Sequence, residues 1–433
     1  MRHIAIMADD LTGASDSGVQ FARKGLQTMV LFDTQNLAAD TDGVEAVAVD
    51  TDSRAIAPPE AYDRNREVAG RVRAAGFAHI YKKVDSTLRG NPGWEIDGVM
   101  DAMPFDLAVV APAFPRLGRT TVAGQHYLNG VPVSQTEIAR DPKCPVTESR
   151  IANLLASQSR RRTGNVELPT VRQGARAIRM AVAGLVSAGV QLAIFDVAAD
   201  GDLETIAAAL ADTTYRILWV GSAGLADYLP AALGFGAEKR EPVRLARSGK
   251  PVLLVAGSIS GTTRAQVARV MAQPGVVAVE LNPLLVLGTG TNRAAELSRC
   301  RTALAAALKR GADVVFTSGS APEQVAEARA AGERLGLDGT AVADRVAAAL
   351  GEAAAQVLKA CPVQGVIMTG GDTAKAVCRE LGVTGLQLLK ELEAGVPLSR
   401  LVGGANLPAV TKAGAFGTAE TLLRALRALK GEH

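Results

Sequence analysis

Aromatic side chains are scarce in this chain, at 4% of its 433 residues. So few stacking platforms, with a formal net charge of only +3, argue against a nucleic-acid-binding surface. The only local basic cluster, Arg160-Arg161-Arg162, reads as a solvated helix end or loop. Cysteine is equally sparse: Cys144, Cys300, Cys361 and Cys378 form no CxxC pair, so zinc and thioredoxin-like spacings are missing and reduced thiols are expected. Histidine is limited to His3, His79, His126 and His433, with no metal-ligand spacing such as HExxH. Only His126 lies near a loop of interest, and a structural role is expected for it. Neither GxxxxGK[ST] nor GxGxxG occurs, which removes the Walker A loop and the dinucleotide fingerprint. The absence of GxSxG and SxxK leaves serine hydrolysis without support. Long apolar runs are lacking too. The N-terminus meets Asp9 and Asp10 before reaching signal-peptide length, and the stretch 181–199 is broken by Gly184, Ser187, Gly189, Gln191 and Asp196. That stretch reads as a helix end, a turn and a buried strand. No membrane association and a cytoplasmic location are expected.

What the chain has is a length and an apolar content, 48%, suited to two cores rather than one. Short apolar runs at 4–8, 28–32, 46–49, 80–84, 107–111, 192–197, 217–220, 252–256, 276–281, 314–317 and 366–369 alternate with polar or Gly-rich turns and helix-length segments. Near-continuous Val, Ile, Leu and Ala in those runs marks strands covered on both faces. The fold class is therefore α/β: two α/β/α domains with mainly parallel sheets. The polar, turn-prone segment Phe235-Gly236-Ala237-Glu238-Lys239-Arg240-Glu241-Pro242 separates domain 1–236 from domain 250–433.

Parallel sheets carry their functional loops beyond the carboxyl ends of the strands. Five constellations follow from that rule. Asp9-Asp10-Leu11-Thr12-Gly13 offers two carboxylates at a strand-to-helix turn, able to hold hydroxyls or a cation or to accept a proton; the alternative is that Asp10 or Thr12 caps the next helix. Lys82-Lys83-Val84-Asp85-Ser86-Thr87-Leu88-Arg89 combines two lysines, an acid, hydroxyls and an arginine, a set suited to an anionic, hydroxylated ligand. Exposed lysines with a capping Ser are the other reading. Gly257-Ser258-Ile259-Ser260-Gly261 enters a helix with small residues that leave backbone N–H groups free for phosphate. Thr369-Gly370-Gly371-Asp372-Thr373 permits close backbone approach to a nucleotide, with Asp372 for ribose or Mg²⁺. Val402-Gly403-Gly404 and Lys412-Ala413-Gly414 complete a nucleotide pocket or form turns between strands.

In their order and spacing these residues resemble the four-carbon acid sugar kinases. The resemblance covers essentially the whole chain. It rests on Asp9-Asp10-Leu11-Thr12-Gly13-Ala14, Lys83-Val84-Asp85-Ser86-Thr87-Leu88-Arg89-Gly90, Pro112-Ala113-Phe114-Pro115 leading to Gly118-Arg119-Thr120-Thr121, Asn129-Gly130-Val131-Pro132-Val133 and Asp141-Pro142. It continues through Gly257-Ser258, Thr369-Gly370-Gly371-Asp372-Thr373 and Lys412-Ala413-Gly414-Ala415-Phe416-Gly417. It implies an N-terminal sugar-acid-binding domain, a C-terminal nucleotide-binding domain and an active-site cleft between them. It assigns the substrate to Asp9, Asp10, Arg54, Lys82, Lys83, Asp85, Ser86 and Arg89, and ATP to Ser258, Gly370, Gly371, Asp372, Thr373, Gly403 and Gly404. Either Asp10 or Asp85 would be the catalytic base. The expected reaction is ATP-dependent phosphorylation of the terminal hydroxyl of D-threonate or D-erythronate, with Mg²⁺ as cofactor and a 3-oxo-tetronate as the alternative acceptor. A non-catalytic sugar-acid sensor is the competing class, an NAD-dependent oxidoreductase has no fingerprint to support it, and a homodimer stays open. One departure is Gly261-Thr262 after Ser260, where the family pattern leads one to expect a bulkier or Pro-containing turn.

Overall fold

The computed structural model describes residues 2–32, 34, 35, 37, 41–141, 143–235 and 245–432. The chain divides into two compact units, Met1–Arg240 and Glu241–His433. Gly236 and the rest of the expected boundary through Pro242 lie outside the described residues, as does Pro142.

In the first unit the chain forms β1 (Ile4–Ala8), β2 (Thr28–Leu31), β3 (Ala46–Asp50), β4 (His79–Lys83) and β5 (Leu107–Ala111). Three short strands, β6 (Arg119–Val122), β7 (Gln125–Leu128) and β8 (Val131–Pro132), pair antiparallel as a separate small sheet. Then come β9 (Thr163–Val166), β10 (Leu192–Phe195) and β11 (Ile217–Gly221). Within this unit, β2-β3-β1-β4-β11-β5-β10-β9 lie side by side and every pairing is parallel. All five residues of β1 are buried, which is why its sequence shows no alternation. Ala5 and Met7 share a core with Val68, Val72, Ile96 and Val99 of helices Pro58–Ala74 and Pro92–Ala102. Helix Leu11–Arg23 instead packs against helix Ala223–Ala226. The chain leaves β1 toward β2 and β3 on one side and later crosses to β4 on the other. That makes β1 the switch point of the sheet, where ligands of open α/β sheets bind.

The second unit contains β12 (Val252–Ala256), β13 (Val276–Glu280), β14 (Asp313–Thr317), β15 (Gly365–Thr369), β16 (Val383–Glu393), β17 (Val396–Gly403) and β18 (Pro408–Lys412). The order β13-β14-β12-β15-β18 is parallel, and β17 and β16 extend it with antiparallel pairings. Helix Gly261–Met271 packs with Thr421–Leu429, whereas helix Gly371–Leu381 packs with the long helix Gly339–Ala360. The switch point of this sheet thus falls between β12 and β15.

The antiparallel pair β16–β17 carries Lys390, Glu391 and Glu393 and has three register shifts, so neither a buried-strand run nor clean alternation marks it. The four cysteines are free and buried. Among the described residues no helix is long and apolar enough to cross a membrane.

Candidate active site

The loops after β1, β3 and β4 converge because their backbones are tied together. The N–H groups of Ser53 and Arg54 donate to the Asp9 carbonyl at 3.0 and 3.2 Å, and Thr51 N–H donates to Ala8 at 2.8 Å. Arg54 is thereby delivered to both aspartates. Its Nε and Nη2 donate to Asp9 at 2.6 and 3.0 Å, and its two Nη groups donate to Asp10 at 2.8 Å each. Asp10 has a second duty, since its Oδ1 accepts from Gly13 N–H at 2.8 Å and caps helix Leu11–Arg23. The capping alternative read from the sequence is therefore realised alongside the arginine contact.

After β4 the loop is held in an unusual shape: Leu88 (φ 66°) and Gly90 (φ 92°) both lie in the left-handed region, and Leu88 is buried. A branched, bulky residue is rarely found there without surrounding contacts that enforce it. Gly90 packs so closely on Arg54 that an added Cβ would lie 3.0 Å from its carbonyl oxygen. Asn91 Nδ2 donates to the carbonyls of Ser53 and Ile56, both at 3.0 Å. Asp85 accepts from Arg89 Nε and Nη2 at 3.0 and 3.1 Å, from Thr87 N–H at 3.1 Å and from the Thr87 hydroxyl. Arg89 also reaches Asp141 at 3.2 Å. Ser86 is half-buried, and its carbonyl accepts from His126 Nε2 at 2.8 Å.

The charges of this cluster follow from burial opposed by neighbours. Burial raises the Asp85 carboxyl, but Arg89, Arg54 and Lys83 outweigh it and hold it well below the usual range. Asp9 is lowered in the same way: burial raises it, and Arg54 and then Lys83 overcome that. Burial disfavours the Arg54 cation, yet Asp10, Asp9 and Asp85 leave it well above its ordinary value. Asp85 is accordingly a fixed anion and a poor proton acceptor.

The two lysines part company. Lys82 is fully buried, its Nζ 2.9 Å from the carboxylate of Glu95 and 3.2 Å from the Met7 carbonyl. Glu95 in turn accepts from Ser53 Oγ at 2.7 Å. Lys83 faces the other side of the strand, as alternation requires. Among the described residues it makes no hydrogen bond or ion pair, and its Nζ stands beside Gly13. A Cβ added to Gly13 would lie 2.7 Å from Asp10 Oδ1 and 2.8 Å from Lys83 Nζ. A carboxylate and an ammonium thus pack directly against Gly13 at the end of β1, an approach that the missing Cβ allows. Sequence reasoning included Lys82, Lys83, Asp10 and Asp85, set Gly13 in the same turn and quoted Asp141 in the resemblance without a role, but missed Asn91 and Glu95 as parts of the arrangement. No local pattern marks Glu95 or Asp141, whose partners lie 13 and 52 residues away in sequence.

In the second unit the turn after β12 meets the turn after β15. Gly370 (φ 102°) approaches Ser258, so that a Cβ there would lie 3.4 Å from the Ser258 N and from Thr373 Oγ1. A side chain on Gly257 would strike the Thr373 hydroxyl, and one on Gly414 the Ser258 hydroxyl. Ser260 caps helix Gly261–Met271, with Thr263 N–H donating to its Oγ at 3.1 Å. Gly371, exposed Asp372 and Thr373 form the first turn of helix Gly371–Leu381. Ser258 and Gly370–Thr373 are therefore brought together at a helix N-terminus, where N–H groups and the helix dipole favour phosphate.

Gly403 and Gly404 lie at the other end of that helix: Gly404 N–H donates to the Gly382 carbonyl at 2.8 Å. Eleven helical residues separate the two ends by roughly 16 Å at 1.5 Å per residue. Lys412 is turned inward, donating to the carbonyls of Ala413, Gly414 and Phe416 at 2.6, 3.0 and 3.1 Å. Burial pulls its ammonium down to about 8, with Glu393 opposing.

Residues 4–229 match the model of a sugar-binding N-terminal domain, and residues 253–422 that of a nucleotide-binding C-terminal domain. A D-threonate kinase of Cupriavidus necator is 35% identical, with 98% of this chain and 97% of the relative covered. A D-erythronate kinase of Heliobacterium modesticaldum is 32% identical, covering 97% and 95%. A 3-oxo-tetronate kinase of Methylobacterium radiotolerans is 33% identical, covering 98% of each chain. A solved structure from Haemophilus influenzae superposes with a TM-score of 0.75 at 25% identity, covering 97% of this chain and 98% of the other.

Proposed function

The chain belongs to the four-carbon acid sugar kinase family, and on that premise we propose that its first unit holds the sugar acid and its second unit holds ATP. It is an ATP-dependent phosphotransferase acting on a sugar-acid hydroxyl. The acceptor is the terminal hydroxyl of D-threonate or D-erythronate. The observation that carries this reading is the convergence of the Asp10 carboxylate and the Lys83 ammonium beside Gly13 at the end of β1. A hydroxyl seated there has an acceptor for its proton and a cation for the phosphoryl group it attacks.

Asp10 takes the proton as the hydroxyl oxygen bonds to the γ-phosphorus and the bond to the departing ADP oxygen breaks. Asp85 does not compete as base, because Arg89 and Arg54 hold it as an anion. Its work is to keep Arg89 and the strained loop in place. Lys82 acts at one remove, anchoring Glu95 and through it Ser53, next to Arg54. The phosphates of ATP meet Ser258 and the N–H groups of Gly370–Thr373. Gly403 and Gly404, a helix length away, suit the base end of the nucleotide.

Mg²⁺ fits as an ion that arrives with ATP. Among the described residues no group of three metal-ligating side chains occurs, and Mg²⁺ is commonly held by one or two protein oxygens plus substrate phosphates. Asp372 and Ser258 are the protein oxygens that would hold it, and the ion would neutralise phosphate charge. The test is a coupled ADP-release screen over D- and L-threonate, D- and L-erythronate and their 3-oxo forms. ADP release that depends on a D-tetronate is expected. Release with no acceptor preference, or none at all, refutes the assignment.

A further inference from the structure

Three arginines and two lysines lie about the loops after β1, β3 and β4, yet their charges are unequally committed. Arg54 is spent on Asp9 and Asp10, Arg89 on Asp85 and Asp141, and Lys82 on Glu95. Lys83 packs beside Gly13 and Asp10. The remaining cation is Arg119, the first residue of β6. Its Nε is buried with no hydrogen-bond partner among the described residues. Among the described residues, its one side-chain hydrogen bond goes to the carbonyl of Leu117, two residues back in its own chain.

The position of Arg119 is set by the small sheet. Thr121, two residues on and hence on the same face of β6, pairs its hydroxyl with His126 Nδ1 at 2.9 Å. The other nitrogen of that imidazole donates to the Ser86 carbonyl at 2.8 Å. The face of β6 that carries Arg119 is therefore pinned against the loop holding Asp85, Ser86 and Arg89. Apart from the Lys82–Glu95 pair, four carboxylates (Asp9, Asp10, Asp85, Asp141) gather here. Arg54, Arg89 and Lys83 balance only three of them. Arg119 adds a fourth cation, acted on also by Glu137 and Asp16, and keeps its Nε without a partner among the described residues. A carboxylate oxygen is a stronger acceptor than the Leu117 carbonyl, and the fork of a guanidinium matches it with two parallel bonds.

Building on the assignment of the first unit as the sugar-acid site, we propose that Arg119 grips the carboxylate of the substrate. The opposite end of the molecule, the terminal hydroxyl, then lies toward Asp10 and Lys83. Arg119 is thus what separates sugar acids from the uncharged polyols of the same length. Burial lowers the proton affinity of its guanidinium, and Asp85 opposes that only in part. An incoming carboxylate would remove the imbalance.

The inference is tested on the full-length protein by calorimetric titration with D-threonate and D-erythronate, and with a non-hydrolysable ATP analogue as control. For Arg119→Gln, tetronate binding is expected to weaken about 30-fold, with affinity for the ATP analogue within about 2-fold of wild type. In turnover the same variant raises KM with little change in kcat, the mark of lost uniform binding. Unchanged tetronate affinity in Arg119→Gln overturns the inference while leaving the kinase assignment intact. A wild-type protein that binds neither tetronate overturns both. Should Arg119→Gln not fold, Arg119→Lys decides: about 5-fold weaker binding supports the fork, and wild-type affinity overturns it.

Discussion

His126 Nε2 donates to the carbonyl of Ser86 at 2.8 Å, while its Nδ1 accepts from the Thr121 hydroxyl at 2.9 Å. A carbonyl can only accept, so this buried ring is the neutral Nε2–H tautomer. One imidazole ties the small antiparallel sheet to the loop that carries Asp85 and Arg89.

That tie is pH-sensitive. Burial drives the His126 imidazole down to about 4, so the unfolded chain binds its proton first. The neutral ring's contribution is complete above the unfolded value near 6.5 and is lost as pH falls from there toward about 4. Against His126→Gln, the wild type should lose about 3 kcal/mol of relative stability across that window. Unfolding midpoints between pH 7.5 and 4.5 read this directly; parallel curves for the two proteins would refute it.

Gly13→Ala tests the close approach at the end of β1. The added methyl meets Lys83 Nζ and also Asp10 Oδ1, which caps the helix and is held by Arg54, so the cap and the arginine contact must shift. Alanine's better helix propensity, about 1 kcal/mol, offsets part of that cost. The thermal midpoint should change little or fall slightly while kcat/KM falls at least about tenfold. A variant with full activity would show that the acceptor does not sit beside Gly13.

The two candidate bases give different signatures. Asp10→Asn keeps an N-cap residue and should lower kcat by roughly 10²–10⁴ with the substrate still bound. Asp85→Asn leaves Arg89 and Arg54 facing a neutral amide, so its first effect should be a lower unfolding midpoint and a raised KM. Single-turnover assays beside thermal melts distinguish these outcomes, and reversed signatures would exchange the roles.

Lys82 should behave as a structural residue. Lys82→Met strands Glu95 in the interior and should cost about 3–5 kcal/mol, whereas Lys82→Met combined with Glu95→Leu should recover most of it. Denaturant midpoints across this double-mutant cycle provide the check. A double variant that is stable but has lost all turnover would instead implicate Lys82 in substrate contact.

Much of the architecture was legible because each buried parallel strand writes a continuous apolar run. The runs at 4–8, 107–111 and 252–256 coincide with β1, β5 and β12, and the others fall within two residues of their strands at either end. The small sheet, β9, the antiparallel pair β16–β17 and β18 left no such trace. Arg119–Val122 and Gln125–Leu128 are only four residues long and mostly polar, with neither an apolar run nor alternation to mark them. Single residues were harder still. Lys82 and Lys83 look alike in sequence, and only strand alternation sends one into the core and the other to Gly13 and Asp10. The Gly403-Gly404 pair shows the same limit, because a glycine pair at a strand end fits a turn as well as a phosphate contact, and distance along a helix is not written locally.

The most direct test is the identity of the product. Wild-type protein incubated with ATP, Mg²⁺ and D-threonate or D-erythronate should yield ADP and one phosphate ester in equal amounts. The ³¹P signal of that ester should couple to the two protons of a terminal CH₂ group. Free inorganic phosphate with unmodified sugar acid, an acyl phosphate, or an ester at an inner carbon would contradict a site in which Asp10 and Lys83 receive the terminal hydroxyl.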